Sequence, residues 1–559
     1  MRRSHARSRV KSSSSSKSDM DPVKFQIRSG NRASSSSLYT LTKSNSKHAK
    51  STSLLLTVFS IAVVLGFLFV CYSILFSGGN RKGSLRYSVV IDGGSTGTRI
   101  HVFGYRIESG KPVFEFRGGN YASLKLHSGL SAYSDDPDGA SLSLTELVEF
   151  AKGKIPKGMW KETEVRLMAT AGMRLLELSV QEKILQVTRR VLKSSGFMFR
   201  DEWASVISGS DEGVYAWVVA NFALGSLGGD PLKTTGIVEL GGASAQVTFV
   251  SSEPMPPEFS RTISFGNVSY NLYSHSFLHF GQNAAHEKLW GSLVSKDQNS
   301  AVESTRQGIF TDPCAPKGYN LDTNTQKQHL SGFLAEESRF SASLQAGGNY
   351  SECRSAALTI LQEGNEKCSY QHCSIGSTFT PKLQGRFLAT ENFFYTSKFF
   401  GLGEKSWLSH MISAGERFCG EDWSKLRVKD PSLDEEDLLR YCFSSAYIVS
   451  LLHDTLGVPL DDDERVRFAN QAGDNIPLDW ALGAFILQTA AEISQLTGGS
   501  SNLHWFYALF GNDSNTLRYL IGIPILITVL VYLVSKWRKP QLKTIYDLEK
   551  GRYIVTRIR

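Results

Sequence analysis

The sequence predicts a duplicated, two-lobed body set between two membrane-spanning segments. Three observations predict it: where the charge lies, two uncharged apolar runs towards the ends, and a strand–acid–glycine–strand unit that occurs twice. The chain has 559 residues, a formal net charge of +8 and 41% hydrophobic residues. That length alone would allow about three or four domains. Residues 1–52 hold 12 Lys/Arg against 2 Asp/Glu, and residues 536–559 hold 8 against 2. The stretch between them carries 41 against 49. The basic balance therefore belongs to the tails and the body is mildly acidic, which argues against a nucleic-acid partner.

Taken in chain order, residues 1–53 form a Ser-rich basic tail with too few large apolar side chains to fold alone. Leu54–Phe76 runs for 23 residues without a charge. At 1.5 Å per residue it can cross a hydrocarbon layer of about 30 Å. It is too long, and too far from the start, for a cleaved leader, so it reads as an uncleaved signal anchor. Residues 77–86, SGGNRKGSLR, read as a stalk. A second span is expected over 517–535, with 17 residues between Arg518 and Lys536. For a run this short, an amphipathic lid or a buried helix is the competing reading.

Residues 536–559 form the second basic tail. Lys/Arg excess on both flanks places both tails in the cytosol and the body on the lumenal or extracellular side, in the Golgi and secretory pathway or at the plasma membrane. Membrane lipid is then a partner, and the two spans permit a homo-oligomer. Cys71 lies in the first span, while Cys314, Cys353, Cys368, Cys373, Cys419 and Cys442 are all in the body. An even number there suits an oxidising compartment, although composition does not select their pairing. N-glycosylation sequons at Asn267, Asn349 and Asn512 point weakly the same way.

The repeated unit carries the chemistry. YSVVIDGGSTGTRIHVF at 87–103 is an apolar strand, an acid, a Gly-rich turn and a second strand, and GIVELGGASAQVTF at 236–249 repeats the plan. Glycines let successive backbone N–H groups converge on an anion, and neighbouring hydroxyls add donors. A carboxylate at the strand end can hold a divalent cation through water. One such hairpin is usually a tight turn. Two of them suggest a duplicated domain whose halves grip one nucleotide.

Further motifs follow in order: ATAGMRLL at 169–176, SGSDEGVYAW at 208–217 and WALGA at 480–484. With DGGSTGTR at 92–99 and ELGGASAQVTF at 239–249, they resemble the apyrase family of nucleoside triphosphate diphosphohydrolases and nucleoside-diphosphatases. The likeness spans about 85–490 and is strongest to the plant membrane-bound apyrases. It implies an α/β, actin-like fold of two ribonuclease-H-like lobes with the active site in the cleft between them. Lobe I would be 85–208 plus 478–500, and lobe II 209–477.

The resemblance also implies residue roles. Glu212 would activate the attacking water. Ser95, Thr96, Thr170 and Ser244 would meet phosphate, together with the backbone of Gly94, Gly241, Gly242 and Ala243. Asp92 and Glu239 would organise Ca²⁺ or Mg²⁺ through water, and Tyr395 and Trp480 would stack on the base. Disulfides would join Cys314 to Cys353, Cys368 to Cys373 and Cys419 to Cys442. Two departures stand out: Glu239 and Ala245, where many relatives carry Asp and Thr.

The implied activity is hydrolysis of the terminal phosphate of nucleoside tri- and/or diphosphates. A non-catalytic nucleotide receptor or scaffold and another actin-like phosphotransferase are the competing readings.

Overall fold

The computed structural model describes residues 84–498 except 109–110, 115, 117–119, 301–308, 322–342, 404–406 and 463, together with Gly66, 542–547 and 552–557. The chain divides into two units, Met1–Arg81 and Lys82–Arg559, and the architecture belongs to the second. Apart from Gly66, the expected spans at 54–76 and 517–535 and the N-terminal tail lie outside the described residues. Among the described residues no helix is long and apolar enough to cross a membrane. In the C-terminal tail, Leu542–Asp547 and Arg552–Arg557 pair as an antiparallel hairpin.

The first sheet is built on the first glycine hairpin. Strands β1 (Leu85–Gly93) and β2 (Thr98–Glu108) are antiparallel. Leu85 and Arg86, expected in the stalk, already belong to β1, because Arg86 pairs with Tyr105. The outer edge of β2 carries β3 (Lys111–Phe114) and β4 (Tyr121–Leu126). On the other side β1, β5 (Glu164–Ala169) and β6 (Ala204–Val206) run parallel. Successive side chains of a strand face opposite ways, and both faces of β1 are covered. Val89 and Ile91 pack with Leu144 and Leu147 of helix α1 (Ala140–Lys154) and Ile184 of α2 (Leu178–Ser194), while Val90 joins a different core.

The second sheet repeats the first. Strands β7 (Gly236–Leu240) and β8 (Ser244–Val250) make the second hairpin. Antiparallel β10 (Val268–Leu278) and β9 (Ser260–Phe265) follow outward from β8. Parallel β11 (Phe387–Glu391) and β12 (Val466–Phe468) extend from β7. In both sheets the glycine hairpin is central, with antiparallel strands on one side and parallel strands on the other.

Five helices cover the second sheet: α4 (Gln282–Ser300), α5 (Tyr350–Gln362), α6 (Asn392–Phe399), α7 (Leu408–Cys419) and α8 (Glu435–Val449), with the short helix Trp423–Lys429 between the last two. They build one core with the second sheet, in which Cys353, Met411, Phe443 and Tyr447 are buried.

Two helices lie between the sheets. Helix α3 (Gly209–Ala223) buries Val214, Ala216, Trp217, Val218, Val219 and Ala220. Helix α9 (Trp480–Gly498) buries Ala481, Leu482, Ala484, Phe485 and Ile486. They share a core with Val90, Phe103 and Met168 of the first sheet and Ile237, Leu272 and Leu388 of the second. A helix enclosed on nearly all sides needs apolar residues all round, which accounts for the unbroken run GVYAWVVA. The helices cross closely: a Cβ on Gly483 would fall 1.8 Å from the Tyr215 carbonyl oxygen.

Candidate active site

Equivalent positions in the two sheets bring the glycine turns face to face. A Cβ on Gly242 would lie 2.6 Å from Thr96 Cγ2 and 3.1 Å from Ser95 Oγ. The loop of one lobe therefore touches the loop of the other, and only glycine fits at the contact. Beneath the second loop, the Gln282 N–H donates to the Gly241 carbonyl at 2.9 Å. Asn283 and Ala284 donate to the Gly242 carbonyl at 3.0 and 3.1 Å, and His279 to the Ala243 carbonyl at 3.0 Å. The loop's carbonyls are thus engaged by the entry to α4. Among the described residues, the N–H groups of Gly242 and Ala243 donate to no protein acceptor. That arrangement turns donors, not lone pairs, towards an anion. Thr170, 4% exposed, anchors the neighbouring turn by donating its N–H to the Gly93 carbonyl at 3.1 Å.

Carboxylates from both lobes gather at this point. The Ser208 hydroxyl caps α3 by accepting from the Asp211 N–H at 3.1 Å, which sets Glu212 in the first turn. Arg174 Nη2 donates to Glu212 Oε2 at 2.8 Å. Burial pushes the Glu212 carboxyl up, and the Arg174 guanidinium and Gln246 amide oppose the rise. Gln246 is itself placed by bonds to the hydroxyls of Ser244 at 2.7 Å and Ser276 at 3.1 Å.

Asp92 and Glu239 stand at the ends of β1 and β7. Burial holds both carboxyls well above the usual range. Asp479 and Glu212 add to the rise at Asp92, and Glu212 and Glu391 add to it at Glu239. Asp92 is only half-buried as a residue, yet its Oδ1 is shielded from water, as is Glu239 Oε2, and neither has a hydrogen-bond partner.

Two further acids complete the cluster. Arg99 Nη1 donates to Asp479 Oδ2 at 2.8 Å. Burial works against the Asp479 charge, but His101 and Arg99 together hold this carboxyl below its ordinary value. Glu391 is pushed up by burial and by Asp479, against Arg99 and Lys125. The sequence does not flag either residue. Asp479 reads as an ordinary helix cap, which it also is, since its Oδ1 accepts from the Ala481 N–H at 3.0 Å. Glu391 is distinguished by a backbone φ of 60°, which no sequence pattern carries.

Residues 80–498 match the GDA1/CD39 nucleoside phosphatase family. The chain belongs to that family. Probable apyrase 6 of Arabidopsis thaliana is 88% identical over 560 residues, covering 100% of each chain. The mouse ectonucleoside triphosphate diphosphohydrolase 3 is 31% identical over 443 residues, covering 75% of this chain and 80% of its own. A solved nucleoside triphosphate hydrolase structure from Neospora caninum superposes with a TM-score of 0.56 at 18% identity, over 81% of this chain and 99% of that one. The last is a likeness of fold. The chain is an apyrase-family enzyme that hydrolyses nucleoside phosphates.

The two aromatic side chains of this apyrase that were expected to hold a base differ in exposure. Tyr395, on α6, is 45% exposed, and its hydroxyl feels Glu391, Arg99 and Asp479. Trp480 is 8% exposed and sits in the interlobe core, 6.4 Å from the Tyr215 ring. As the first residue of α9, it is packed where that helix crosses α3, so Tyr395 is the ring left open. Among the described residues, no three His, Cys, Asp or Glu side chains converge closely enough to ligate a metal directly.

The three disulfides join Cys314 to Cys353, Cys368 to Cys373 and Cys419 to Cys442. Asn267 is exposed in the β9–β10 turn, while Asn349 is half-buried and caps α5 through the Glu352 N–H at 3.3 Å. Asn512 lies outside the described residues.

Proposed function

We propose that this apyrase removes the terminal phosphate of nucleoside tri- and/or diphosphates by direct attack of a water oriented by Glu212, without a covalent intermediate. The observation that carries the reading is the contact of Gly242 with Ser95 and Thr96. It makes one anion cradle out of two lobes, with Glu212 at the head of the helix between them. Phosphoryl transfer asks the protein mainly for positioning and charge stabilisation. The backbone of Gly94, Gly241, Gly242 and Ala243 and the hydroxyls of Ser95, Thr96, Thr170 and Ser244 would hold the phosphate oxygens. Ionised Glu212 would accept the water's proton as it attacks. Arg174 opposes the rise that burial imposes on the Glu212 carboxyl and so favours its charged form, and Gln246 offers a second contact for the water. Tyr395 would stack on the base, which gives little selectivity among bases.

The donor set also fits a divalent cation, Ca²⁺ or Mg²⁺. Two hard carboxylate oxygens, Asp92 Oδ1 and Glu239 Oε2, are buried without partners, and water molecules on a cation would satisfy both. Bound there, the cation would offset phosphate charge. The extra methylene of Glu239 alters the reach of that carboxylate relative to Asp and so bears on the choice of ion. The charge distribution further supports a two-pass membrane enzyme with cytosolic tails and a lumenal or extracellular catalytic body.

The test uses the full-length chain in detergent. Phosphate release from ATP, ADP, GDP and UDP is expected, lost on chelation and restored by Ca²⁺ or Mg²⁺. Glu212→Gln is expected to lower turnover by about 10²–10⁴-fold while nucleotide still binds. Near-normal turnover by the folded variant would remove Glu212 from this role. In sealed microsomes, glycosidase-sensitive mass at Asn267 or Asn349 is expected, and tails cleaved by external protease. Sequons left unmodified and a body open to that protease would reverse the orientation.

A further inference from the structure

We propose that Glu391 reads the sugar of the bound nucleotide, its carboxylate accepting hydrogen bonds from the ribose 2′- and 3′-hydroxyls. This rests on the nucleotide-hydrolase reading above and adds to it the part of the substrate that neither the glycine loops nor Tyr395 would touch.

Place is the first argument. Glu391 ends β11, where it pairs with Leu240, the residue leading into the second glycine loop. Four residues later, in the first turn of α6, comes Tyr395. The Glu391 carboxylate is near enough to Arg99 and Lys125 of the first sheet, and to the Tyr395 hydroxyl, for their electrostatics to be linked. With Leu240 beside it in the sheet and Tyr395 one helical turn on, it adjoins both the second glycine loop and the open aromatic ring. A nucleotide spanning those two points puts its sugar in that interval.

Backbone geometry is the second. Glu391 adopts φ 60° and ψ −121°, a conformation that favours glycine. Its N–H donates to Asn470 Oδ1 at 2.8 Å, and Asn392 Nδ2 donates to the Leu240 carbonyl at 2.8 Å, so both flanks are fastened. Strain held by dedicated side chains is typical of ligand sites.

The third argument is that the carboxylate has no other employment. Among the described residues its side chain makes no ion pair and no hydrogen bond, and it does not cap α6. Beside a polyphosphate, an idle carboxylate only repels. A vicinal diol supplies two O–H donors, and a carboxylate is the standard acceptor for ribose hydroxyls in dinucleotide sites.

The experiment compares ribose, 2′-deoxy and 3′-deoxy forms of whichever of ATP, ADP, GDP and UDP the full-length enzyme turns over fastest. Both kcat/KM and calorimetric Kd are measured for wild type, Glu391→Ala and Glu391→Gly. The glycine variant relieves the φ strain and so guards against misfolding. Wild type should prefer ribose over either deoxy form by about 10- to 100-fold, and both variants should bring the ratios to within about 2-fold of unity.

Ribose preference retained in the variants, or absent from wild type, overturns the proposal. A changed half-saturating cation concentration with intact ribose preference also overturns it and assigns Glu391 to the cation cluster. Should wild type bind nucleotides without hydrolysing them, the hydrolase reading fails. The ratio of Kd values then still decides for or against Glu391.

Discussion

Arg174 Nη2 meets Glu212 Oε2 at 2.8 Å, with the two side chains only 15% and 11% exposed. This contact favours the charged form of a carboxylate whose burial favours the neutral one. Burial raises the Glu212 pKa and Arg174 lowers it. A general base works only when deprotonated, so activity should fall as pH drops through the Glu212 pKa. Removing Arg174 leaves burial unopposed and raises that pKa further. Arg174→Met should therefore shift the acid limb of the kcat profile to higher pH. A profile that merely scales down, with its acid limb unmoved, would show that Arg174 does not set the ionisation of Glu212.

The loop-to-loop contact makes a separate prediction. In Gly242→Ala the new methyl would stand 2.6 Å from Thr96 Cγ2, so the Thr96 side chain or its loop must move by roughly 1 Å to restore van der Waals contact. Displacement of that size costs on the order of 10²-fold in rate when reacting groups must be aligned. kcat/KM should fall accordingly with little change in thermal stability, because the clash is with one partly exposed side chain at the mouth of the cleft.

Stability should respond instead at Gly483. Its Cβ would collide with the backbone oxygen of Tyr215 in the middle of the core, where neither helix can give way. Gly483→Ala should cost about 1–3 kcal/mol or more, read as an earlier urea midpoint. Gly153 in α1 is the control, because nothing lies within 4 Å of a Cβ there. Gly153→Ala should be neutral or stabilising by up to about 1 kcal/mol.

The disulfides rank by the loops they close. Cys314–Cys353 spans 39 residues and Cys368–Cys373 spans 5. Chain-entropy arguments give about 4 kcal/mol for the first and about 2 kcal/mol for the second. Paired Cys→Ala variants in denaturant titrations should preserve that order.

The sequence carried the parts of the site that depend on residue type in a local setting. Asp92-Gly-Gly-Ser and Glu239-Leu-Gly-Gly are readable because paired glycines after a strand-end acid allow such turns, and Glu212 through the likeness of SGSDEGVYAW to the family motif, since an acid at a helix start alone is ordinary capping. What stayed hidden depends on long-range geometry. Asp479 meets Arg99 across 380 residues of chain, and its local pattern is that of any helix cap. That Trp480 is nearly enclosed, where α9 enters between the sheets, is likewise unannounced by its neighbours in sequence. Glu391 sits in an unremarkable strand end, and its positive φ is accompanied by contacts to Asn470 and to Leu240 of the neighbouring strand that are distant in sequence.

The return of α9 to the first sheet has a consequence for biosynthesis. The Phe103 ring stacks on Phe485 at 4.7 Å, so one face of the first sheet waits for the last helix described. At 5–20 residues per second, about 20–75 s separate the synthesis of the two partners. Throughout that interval the nascent first lobe presents an aromatic, apolar surface without its cover. A chain interrupted before 480 would keep Glu212 and both glycine loops and still be an aggregation-prone half-product, which makes α9 a checkpoint for folding as well as the helix that Asp479 caps.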